Sequence, residues 1–256
     1  MPNAAPTSAR VQAQASFEVR TLLSNGEQLL VSIILPLVAL VALVLLNPGA
    51  LSAGRPDAVT HGEAARLAVP GVLALAVVST AFTGQAIVLA YERRYGVLRL
   101  LGTTPLGRGG LLIAKGCAVV VVVAIQCAVL GAVGLVLGWR PELTGIPMAV
   151  LLILTGCSAF LALAALVGGV LRAEGVLALA NLAWVVFLGC GLLFPLATLP
   201  DAVAQGMRFT PPGALGEGLR SALAGGETSA LLSVVVLTLW ALVIGAIASR
   251  ALRWSD

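Results

Sequence analysis

The 256-residue sequence has little charge: only 10% of its residues are Asp, Glu, Lys or Arg, against roughly a quarter in a soluble domain. It has one histidine, His61, and one lysine, Lys115. Its four cysteines lie in long apolar stretches without a C-x-x-C pair, so neither a disulfide framework nor a metal site is predicted. This composition excludes a soluble globular enzyme, a disordered chain and a nucleic-acid-binding protein.

Apolar residues are abundant instead, at 59% of the chain, and they raise the mean hydropathy to +1.06. A helix needs about 20 mostly apolar residues to cross a bilayer. A transmembrane β-barrel is excluded because the apolar stretches are continuous rather than alternating. We therefore predict an all-α membrane protein with six transmembrane helices, at residues 29–46, 67–90, 116–138, 147–171, 176–199 and 230–249.

The basic residues predict the orientation of these helices. If both termini are cytoplasmic, the inner segments contain ten Lys and Arg residues and the outer segments contain five. Basic residues are enriched on the cytoplasmic side, so we predict a multi-pass protein of the cell (plasma or inner) membrane with both termini inside. The basic pI of 9.2 then reflects topology and requires no nucleic acid or other anionic partner.

The N-terminal region is predicted to have two parts. Residues 1–15 are interpreted as a disordered tail, and residues 16–256 as a single transmembrane domain. Between Ser16 and Gln28, apolar and charged residues are mixed at helical spacing. This pattern is typical of an amphipathic helix that lies along the cytoplasmic interface.

The most informative loop is the basic segment, which we define as residues 91–115 and which contains five basic residues. Four apolar residues within 97–101 predict a short amphipathic helix, which Gly102 would end before Thr104-Pro105 forces an extended or turning stretch. Attachment of the segment to the lipid surface would explain its arginines. It would not explain why Glu92, Gly96 and Thr104-Pro105 accompany them.

Here the sequence resembles the ABC-2 type permeases, the membrane subunits of one class of ATP-binding-cassette (ABC) exporters. The family pattern after the second span is close to E-R-x-x-G-x-L-x-x-L-x-x-T-P-L-x-R, with Lys or a similar residue at the third span. It is matched by Glu92, Arg93, Gly96, Leu98, Leu101, Thr104, Pro105, Leu106, Arg108 and Lys115. Arg99 departs from it, since many relatives have Glu there. Residues 16–36 resemble the family's entry helix and first span, and 194–225 resemble its outer helical hairpin between spans five and six. Within 194–225, the helical spacing of Leu215, Leu219, Ala222 and Leu223 predicts a short helix with one apolar face.

The resemblance implies a function for the segment. In the family this stretch meets a separate ATPase subunit, so the implied coupling residues are Glu92, Arg93, Arg94, Gly96, Leu98, Leu101, Thr104, Pro105 and Arg108. We expect the arginines, with Arg99, to pair with acidic residues of that subunit, and Leu98 and Leu101 to fill its groove. The competing interpretation is that the arginines only anchor the loop to lipid.

The resemblance also implies an assembly of two permease chains, identical or related, with two ATPase subunits. This chain has no G-x-x-x-x-G-K-[ST] phosphate-binding loop, so we expect no enzymatic activity of its own. No cofactor is expected in this chain, because ATP and Mg²⁺ would be bound by the partner. The implied function is that of a permease subunit of an ATP-driven exporter.

A few polar residues lie within the predicted spans. Thr83, Gln85, Gln126 and Asn181 are candidates for a substrate path, although such residues more often form hydrogen bonds between helices. A largely apolar path would suit a hydrophobic or amphipathic substrate, such as a drug-like molecule, a lipid or a glycan.

Three alternatives stay open at this stage. An ion-coupled secondary transporter would need an ionisable residue at membrane depth, and none lies clearly inside a predicted span. An intramembrane enzyme would need a nucleophile, a carboxylate pair or metal ligands there. A scaffold protein that transports nothing is not excluded by any of these residues.

Overall fold

The computed structural model describes residues 6–24, 26–46, 60–102, 107–225 and 229–251, and every regular element in these ranges is helical. The α-helices are α1 (Thr7–Ser24), α2 (Gly26–Val41), α3 (His61–Val78), α4 (Gln85–Arg94), α5 (Val97–Gly102), α6 (Gly107–Val136), α7 (Ile146–Val170), α8 (Ala173–Phe187), α9 (Asp201–Met207), α10 (Pro211–Ala224) and α11 (Ala230–Ala251). Three π-helical turns extend α2, α3 and α8, at Ala42–Leu46, Ser79–Gly84 and Leu188–Leu192.

Several of these helices have the length and composition of membrane spans, which confirms an all-α membrane protein. Among the described residues, five segments are long and apolar enough to cross a bilayer: His61–Arg94, Gly109–Val136, Leu143–Val170, Ala173–Leu192 and Ala230–Arg250. The apolar helix Ser32–Leu46 is shorter, so the sixth span stays a prediction. The side of the membrane on which the termini lie also stays a prediction.

The helix in the fifth predicted span ends earlier than hydropathy indicates. The predicted range was 176–199, whereas the helical segment is Ala173–Leu192. Cys190 and Gly191 leave helical geometry, and Gly191 has a φ of +86°, a conformation that favours glycine. The residues after this break are still apolar, so the hydropathy pattern alone does not reveal it.

The N-terminal helix begins earlier than predicted. We expected a tail over residues 1–15, but α1 begins at Thr7; residues 1–5 lie outside the described part. Residues 7–15 are rich in Ala, Gln and Arg, which favour helix. Tertiary contacts add to this preference, because Leu22 of α1 packs against Ala118 and Val122 of α6.

Helices α3 and α4 form the centre of the molecule. Together with the π-turn between them they make one continuous helical segment, which begins at a capping box formed by Thr60 and Glu63. From Ala68 to Val78 every residue is buried, and α2, α6, α7 and α10 all pack around this segment. It connects the basic segment at one end to α10 at the other.

Helix α10 lies between α8 and α11 in the chain and is buried on nearly all sides. Leu215, Leu219, Ala222 and Leu223 are buried, at the helical spacing on which we based the prediction of a short helix. The opposite side is buried as well, where Gly218 lies so close to α11 that a Cβ atom would meet the Ser233 Cβ at 2.7 Å. One apolar face is therefore an underestimate, since glycines let neighbours approach the remaining faces.

Candidate functional site

The basic segment is described as far as Gly102 and again from Gly107. Helix α4 ends at Arg94, and the chain turns at Gly96 before α5 begins. Gly96 has a φ of +73°, a left-handed conformation that commonly ends helices. Its N–H donates to the carbonyl of Arg93 at 3.0 Å, and its carbonyl accepts from the N–H of Leu100 at 3.1 Å. The glycine of the sequence motif thus forms the corner between α4 and α5.

Glu92, the acidic residue of the motif, lies in a buried charge cluster inside the molecule. Lys115 Nζ of α6 lies 2.8 Å from Glu92 Oε1 and 3.1 Å from Glu18 Oε1 of α1. The side chains of Lys115 and Glu18 are only 2% and 6% exposed, and that of Glu92 is 19% exposed. Gln14 donates a further hydrogen bond to Glu18 at 3.0 Å. We name Glu18, Glu92 and Lys115 the Lys115 cluster; it joins α1, α4 and α6.

The two arginines after Glu92 contact the connection between α7 and α8. Arg93 is buried and donates to the carbonyl of Leu171, the residue that follows α7. Arg94 forms an exposed salt bridge with Glu174 in the first turn of α8. The end of α4 is therefore attached to the rest of the molecule through three consecutive charged residues.

Helix α5 has an inner and an outer face. Leu98 is fully buried and packs in a cluster with Leu89 and Leu111, so it faces the interior of the chain. Leu100, by contrast, is 70% exposed and Tyr95 is 72% exposed. Arg99 is exposed as well, so the outer face of α5 combines apolar, aromatic and positive character.

Four of the predicted coupling residues are not assessed by this geometry. Thr104 and Pro105 lie outside the described residues, and so do the side chains of Leu101 and Arg108. Of the predicted set, the structure brings Glu92, Arg93, Arg94, Gly96 and Leu98 together at the end of α4.

The predicted path residues have different environments. Gln126 is fully buried, accepts from Thr80 Oγ1 at 3.0 Å and donates to the carbonyl of Ser32 at 3.3 Å. It therefore connects three helical elements, as expected of a polar residue that forms hydrogen bonds between helices. Asn181 is exposed on α8 and donates to the carbonyl of Leu177 in its own helix.

Thr83 and Gln85 are the other two path candidates, and they lie beside the π-turn between α3 and α4. Thr83 Oγ1 and both amide atoms of Gln85 are buried and have no hydrogen-bond partner among the described residues. Gln85 is only 2% exposed. Buried polar atoms are rarely left unpaired, and π-turns are frequent at functional sites, so these two residues stay candidates.

A second buried charged group, which the sequence did not predict, surrounds Arg220 of α10. Its guanidinium donates to the carbonyls of Gly191, Leu192 and Leu193 at 2.8, 2.8 and 2.7 Å. Glu217 Oε1 lies 3.1 Å from Arg220 Nη1. We name Arg220, Glu217 and the carbonyls of residues 191–193 the Arg220 cluster. Burial lowers the pKa of Arg220 to about 10, against the opposing effect of Glu217, so the side chain is charged at neutral pH.

The sequence offered one signal for this cluster. Glu217 and Arg220 lie at positions i and i+3 of an otherwise apolar, glycine-rich helix. Side chains at that spacing meet on one helix face. The predicted spans and the resemblance to the family's outer hairpin put Arg220 in the segment between spans five and six. The structure shows that Arg220 is buried and that its charge is paired with Glu217 and with backbone carbonyls of the same chain.

The other end of α10 has a related arrangement. Arg66 of α3 donates through Nε and Nη2 to the carbonyl of Ala224, the last residue of α10. Gly225 follows with a φ of +65°. A Cβ atom on Gly225 would lie 2.6 Å from Glu142 Oε1, so the absence of a side chain allows this close approach.

No group of three His, Cys, Asp or Glu residues in the described ranges is placed to hold a metal ion. The four cysteines are free. The charged residues described above therefore form salt bridges and donate hydrogen bonds to backbone carbonyls, and the exposed face of α5 is available for contact with a partner.

Comparison with known proteins agrees with the sequence motif. A family model described as "ABC-2 family transporter protein" matches residues 56–250, which is about three quarters of the chain. No curated protein matches the chain.

Proposed function

This chain belongs to the ABC-2 family of transporter proteins, and we propose that it is the permease subunit of an ATP-driven exporter, coupled through residues 91–108 to a separate ATPase. The family resemblance of the sequence is thereby confirmed. Membership of the family makes the chain a multi-pass membrane permease of an ABC transporter and implies an ATPase partner. The coupling, the substrate and the assembly belong to the proposal.

The observation that carries the proposal is the way α5 is held. Its inner face is anchored by Leu98, and the helix before it is fixed by the Lys115 cluster and by Arg93. Its outer face leaves Leu100 and Arg99 exposed. Exposed apolar residues with a polar rim are typical of protein interaction sites, and a rigid base allows a push on that surface to move the whole end of α4.

The same contacts suggest how a displacement would spread. Lys115 joins α4 to α1 and α6, so movement of the basic segment would be passed to the N-terminal helix and the third span. Arg93 and Arg94 join α4 to the α7–α8 connection. We propose that ATP-driven closure of the ATPase subunits, which bind ATP and Mg²⁺, moves these helices together.

The proposed assembly contains two permease chains, identical or related, and two ATPase subunits. In each permease we propose six spans, with α2 contributing to the first, both termini in the cytoplasm, and α9 and α10 forming an outer hairpin. The enrichment of basic residues in the segments that would face the cytoplasm supports this orientation. We assign no enzymatic activity to this chain, since it has no phosphate-binding loop.

The proposed substrate is hydrophobic or amphipathic, in the class of drug-like molecules, lipids and glycans. The support is the low polarity of the spans, whose side chains are almost all aliphatic. Thr83 and Gln85 are the best candidates for contact with it, because their buried polar atoms lack partners among the described residues.

Leu100→Asp tests the coupling proposal. Its matched control is Leu143→Asp, since Leu143 is 74% exposed, close to the 70% of Leu100, but lies in the short helix before α7. Each variant is affinity-purified from its native host, and the amount of ABC ATPase that co-purifies is measured by mass spectrometry. We expect Leu100→Asp to lower that amount by about tenfold, because a buried charge at the centre of an interface is costly.

Leu143→Asp should retain the ATPase at the level of the unmodified chain. Equal retention by both variants, at equal expression and equal thermal stability, would contradict coupling through α5. Failure of the unmodified chain to retain any ABC ATPase would contradict the proposal as a whole.

A further inference from the structure

The break after α8 leaves backbone carbonyls without helical partners, and Arg220 donates hydrogen bonds to them. A helix that ends leaves its last carbonyls without partners, and such groups are costly where water is absent. At this break the carbonyls of Gly191, Leu192 and Leu193 all accept from one guanidinium. Arg220 is 4% exposed, so this contact is made in the interior.

The same cluster also fixes the chain beyond the break. Glu217 Oε1 accepts from the N–H of Leu196 at 2.8 Å while it pairs with Arg220. Both residues belong to α10, so one turn of α10 holds the chain at the break and just beyond it. The carbonyls of residues 191–193 and the N–H of Leu196 are thereby joined to a single rigid element.

Helix α3 completes the arrangement at Gly71. A Cβ atom at this position would lie 2.9 Å from Arg220 Nη2 and 2.9 Å from the carbonyl oxygens of Leu192 and Leu193. These are closer than Cβ contacts normally are, so only glycine leaves room for the cluster. Three helices, α3, α8 and α10, meet at one guanidinium.

Helix α8 has few fully buried residues, so side-chain contacts near its end contribute to its attachment. Within Ala173–Phe187 the buried residues are Ala173, Val176 and Ala180, all on the half nearer the start of the helix. Towards its end, α8 is held by the Trp184 Nε1 hydrogen bond to Ser79 Oγ at 2.9 Å. The Phe187 ring adds contacts with Phe82 and Phe160, at 5.6 and 5.9 Å between ring centroids. Beyond that, the Arg220 cluster holds the extension of the helix.

We propose that Arg220 is a positioning residue for transport, which fixes the end of α8 to α10 and α3 and must release it before α8 moves relative to α3. The role in transport rests on the proposed function. The attachment itself is a property of this chain alone and is tested without a partner.

The chain contains its own reporter for this attachment, since Cys190 immediately precedes the first carbonyl that Arg220 binds. A variant with Cys117, Cys127 and Cys157 replaced by Ala leaves Cys190 as the only thiol. Its rate of maleimide labelling is measured on the purified full chain in lipid nanodiscs. Cys190 is only partly buried. With Arg220→Gln in addition, we therefore expect labelling to be several-fold faster, because several charge-assisted hydrogen bonds that hold the adjacent carbonyls are lost.

Three further substitutions make this test specific. Arg220→Lys should give an intermediate rate, since an ammonium lacks the planar fork that serves several carbonyls at once. Gly71→Ala should also increase the rate, because it displaces Arg220 without removing it. Arg208→Gln, at an exposed arginine of the same part of the chain, should leave the rate unchanged.

Cys157 distinguishes local opening from unfolding, because it is buried in α7 and 3% exposed. In a chain that retains only Cys157, Arg220→Gln should leave this thiol protected. If Arg220→Gln exposes Cys157, that variant has unfolded more widely. The Cys190 labelling rates of Arg220→Lys and Gly71→Ala then decide whether Arg220 attaches the end of α8. Unchanged Cys190 labelling in a variant that keeps Cys157 protected would overturn the attachment.

The role in transport is tested in membrane vesicles that contain the ATPase subunit, and needs no knowledge of the substrate. ATP should accelerate maleimide labelling of Cys190 in the chain that retains only this cysteine. In the same chain with Arg220→Gln, ATP should add little to the labelling rate. ATP hydrolysis without any change in Cys190 labelling would overturn the role in transport. Absence of ATPase association would instead overturn the proposed function, and the nanodisc result would be unaffected.

Discussion

The single lysine of this chain is shared by two carboxylates, and this sharing predicts how the free energy of unfolding responds to removal of charge. Lys115 Nζ lies 2.8 Å from Glu92 Oε1 and 3.1 Å from Glu18 Oε1. The perturbations are Glu18→Gln, Glu92→Gln and the double substitution. Each preserves side-chain size, so the packing of α1, α4 and α6 is left nearly unchanged.

The expected magnitudes follow from burial. The Lys115 side chain is 2% exposed, so its charge needs at least one carboxylate. Either single substitution leaves a one-to-one pair and loses one charged hydrogen bond, but it also relieves the repulsion between the carboxylates, so its net cost is about 0–1 kcal/mol. The double substitution leaves an unpaired buried ammonium, at a cost of about 3–5 kcal/mol.

Denaturant titration of the purified full chain in detergent micelles measures these free energies, and the four variants form a double-mutant cycle. The double substitution should cost at least about 1 kcal/mol more than the sum of the singles. Glu174→Gln is the control, because its salt bridge with Arg94 is on the surface and should contribute less than about 1 kcal/mol. Additivity within about 0.5 kcal/mol would refute the sharing of Lys115.

Two further predictions concern α5 of the basic segment and the buried hydrogen bond of Gln126, and the same denaturant titration measures both. Leu98→Ala should cost about 2–5 kcal/mol because Leu98 is fully buried, whereas Leu100→Ala should cost less than about 0.5 kcal/mol; equal costs would contradict the two-faced arrangement of α5. Gln126→Leu should cost about 1–3 kcal/mol because it leaves Thr80 Oγ1 without its partner. Adding Thr80→Val to Gln126→Leu should recover part of that loss, and a further loss would show that this hydrogen bond is unimportant.

The helices that the sequence predicted well are those whose apolar stretches end at polar loops. The predictions of 147–171 and 230–249 differ by only one or two residues from Ile146–Val170 and Ala230–Ala251. Hydropathy failed where a backbone change occurs within apolar residues, as at Gly191. It also missed the start of α1 at Thr7, since residues without an apolar pattern can be helical when the following turns are packed against α6.

The basic segment shows the same division between local and long-range information. Its position and the short helix within it followed from residues close together in sequence. The direction of each side chain did not, because it depends on distant partners: Glu92 faces inwards to Lys115, 23 residues later in the chain, and Glu18 joins them from α1. Leu98 and Leu100 are chemically identical in the sequence, and only the packing of Leu98 against Leu89 and Leu111 separates their roles.

The scarce positive charge of the chain has one recurring use, which is to complete the ends of neighbouring helices. Arg93 donates to the carbonyl after α7, Arg66 to the last carbonyl of α10, and Arg220 to three carbonyls at the end of the α8 segment. Helix C-termini carry partial negative charge as well as unpaired carbonyls, so an arginine there satisfies both. In a chain whose spans contain so few other donors, this explains why these arginines lie beside the ends of neighbouring helices. Arg→Lys at these positions should weaken the attachment between helices even though the charge is preserved.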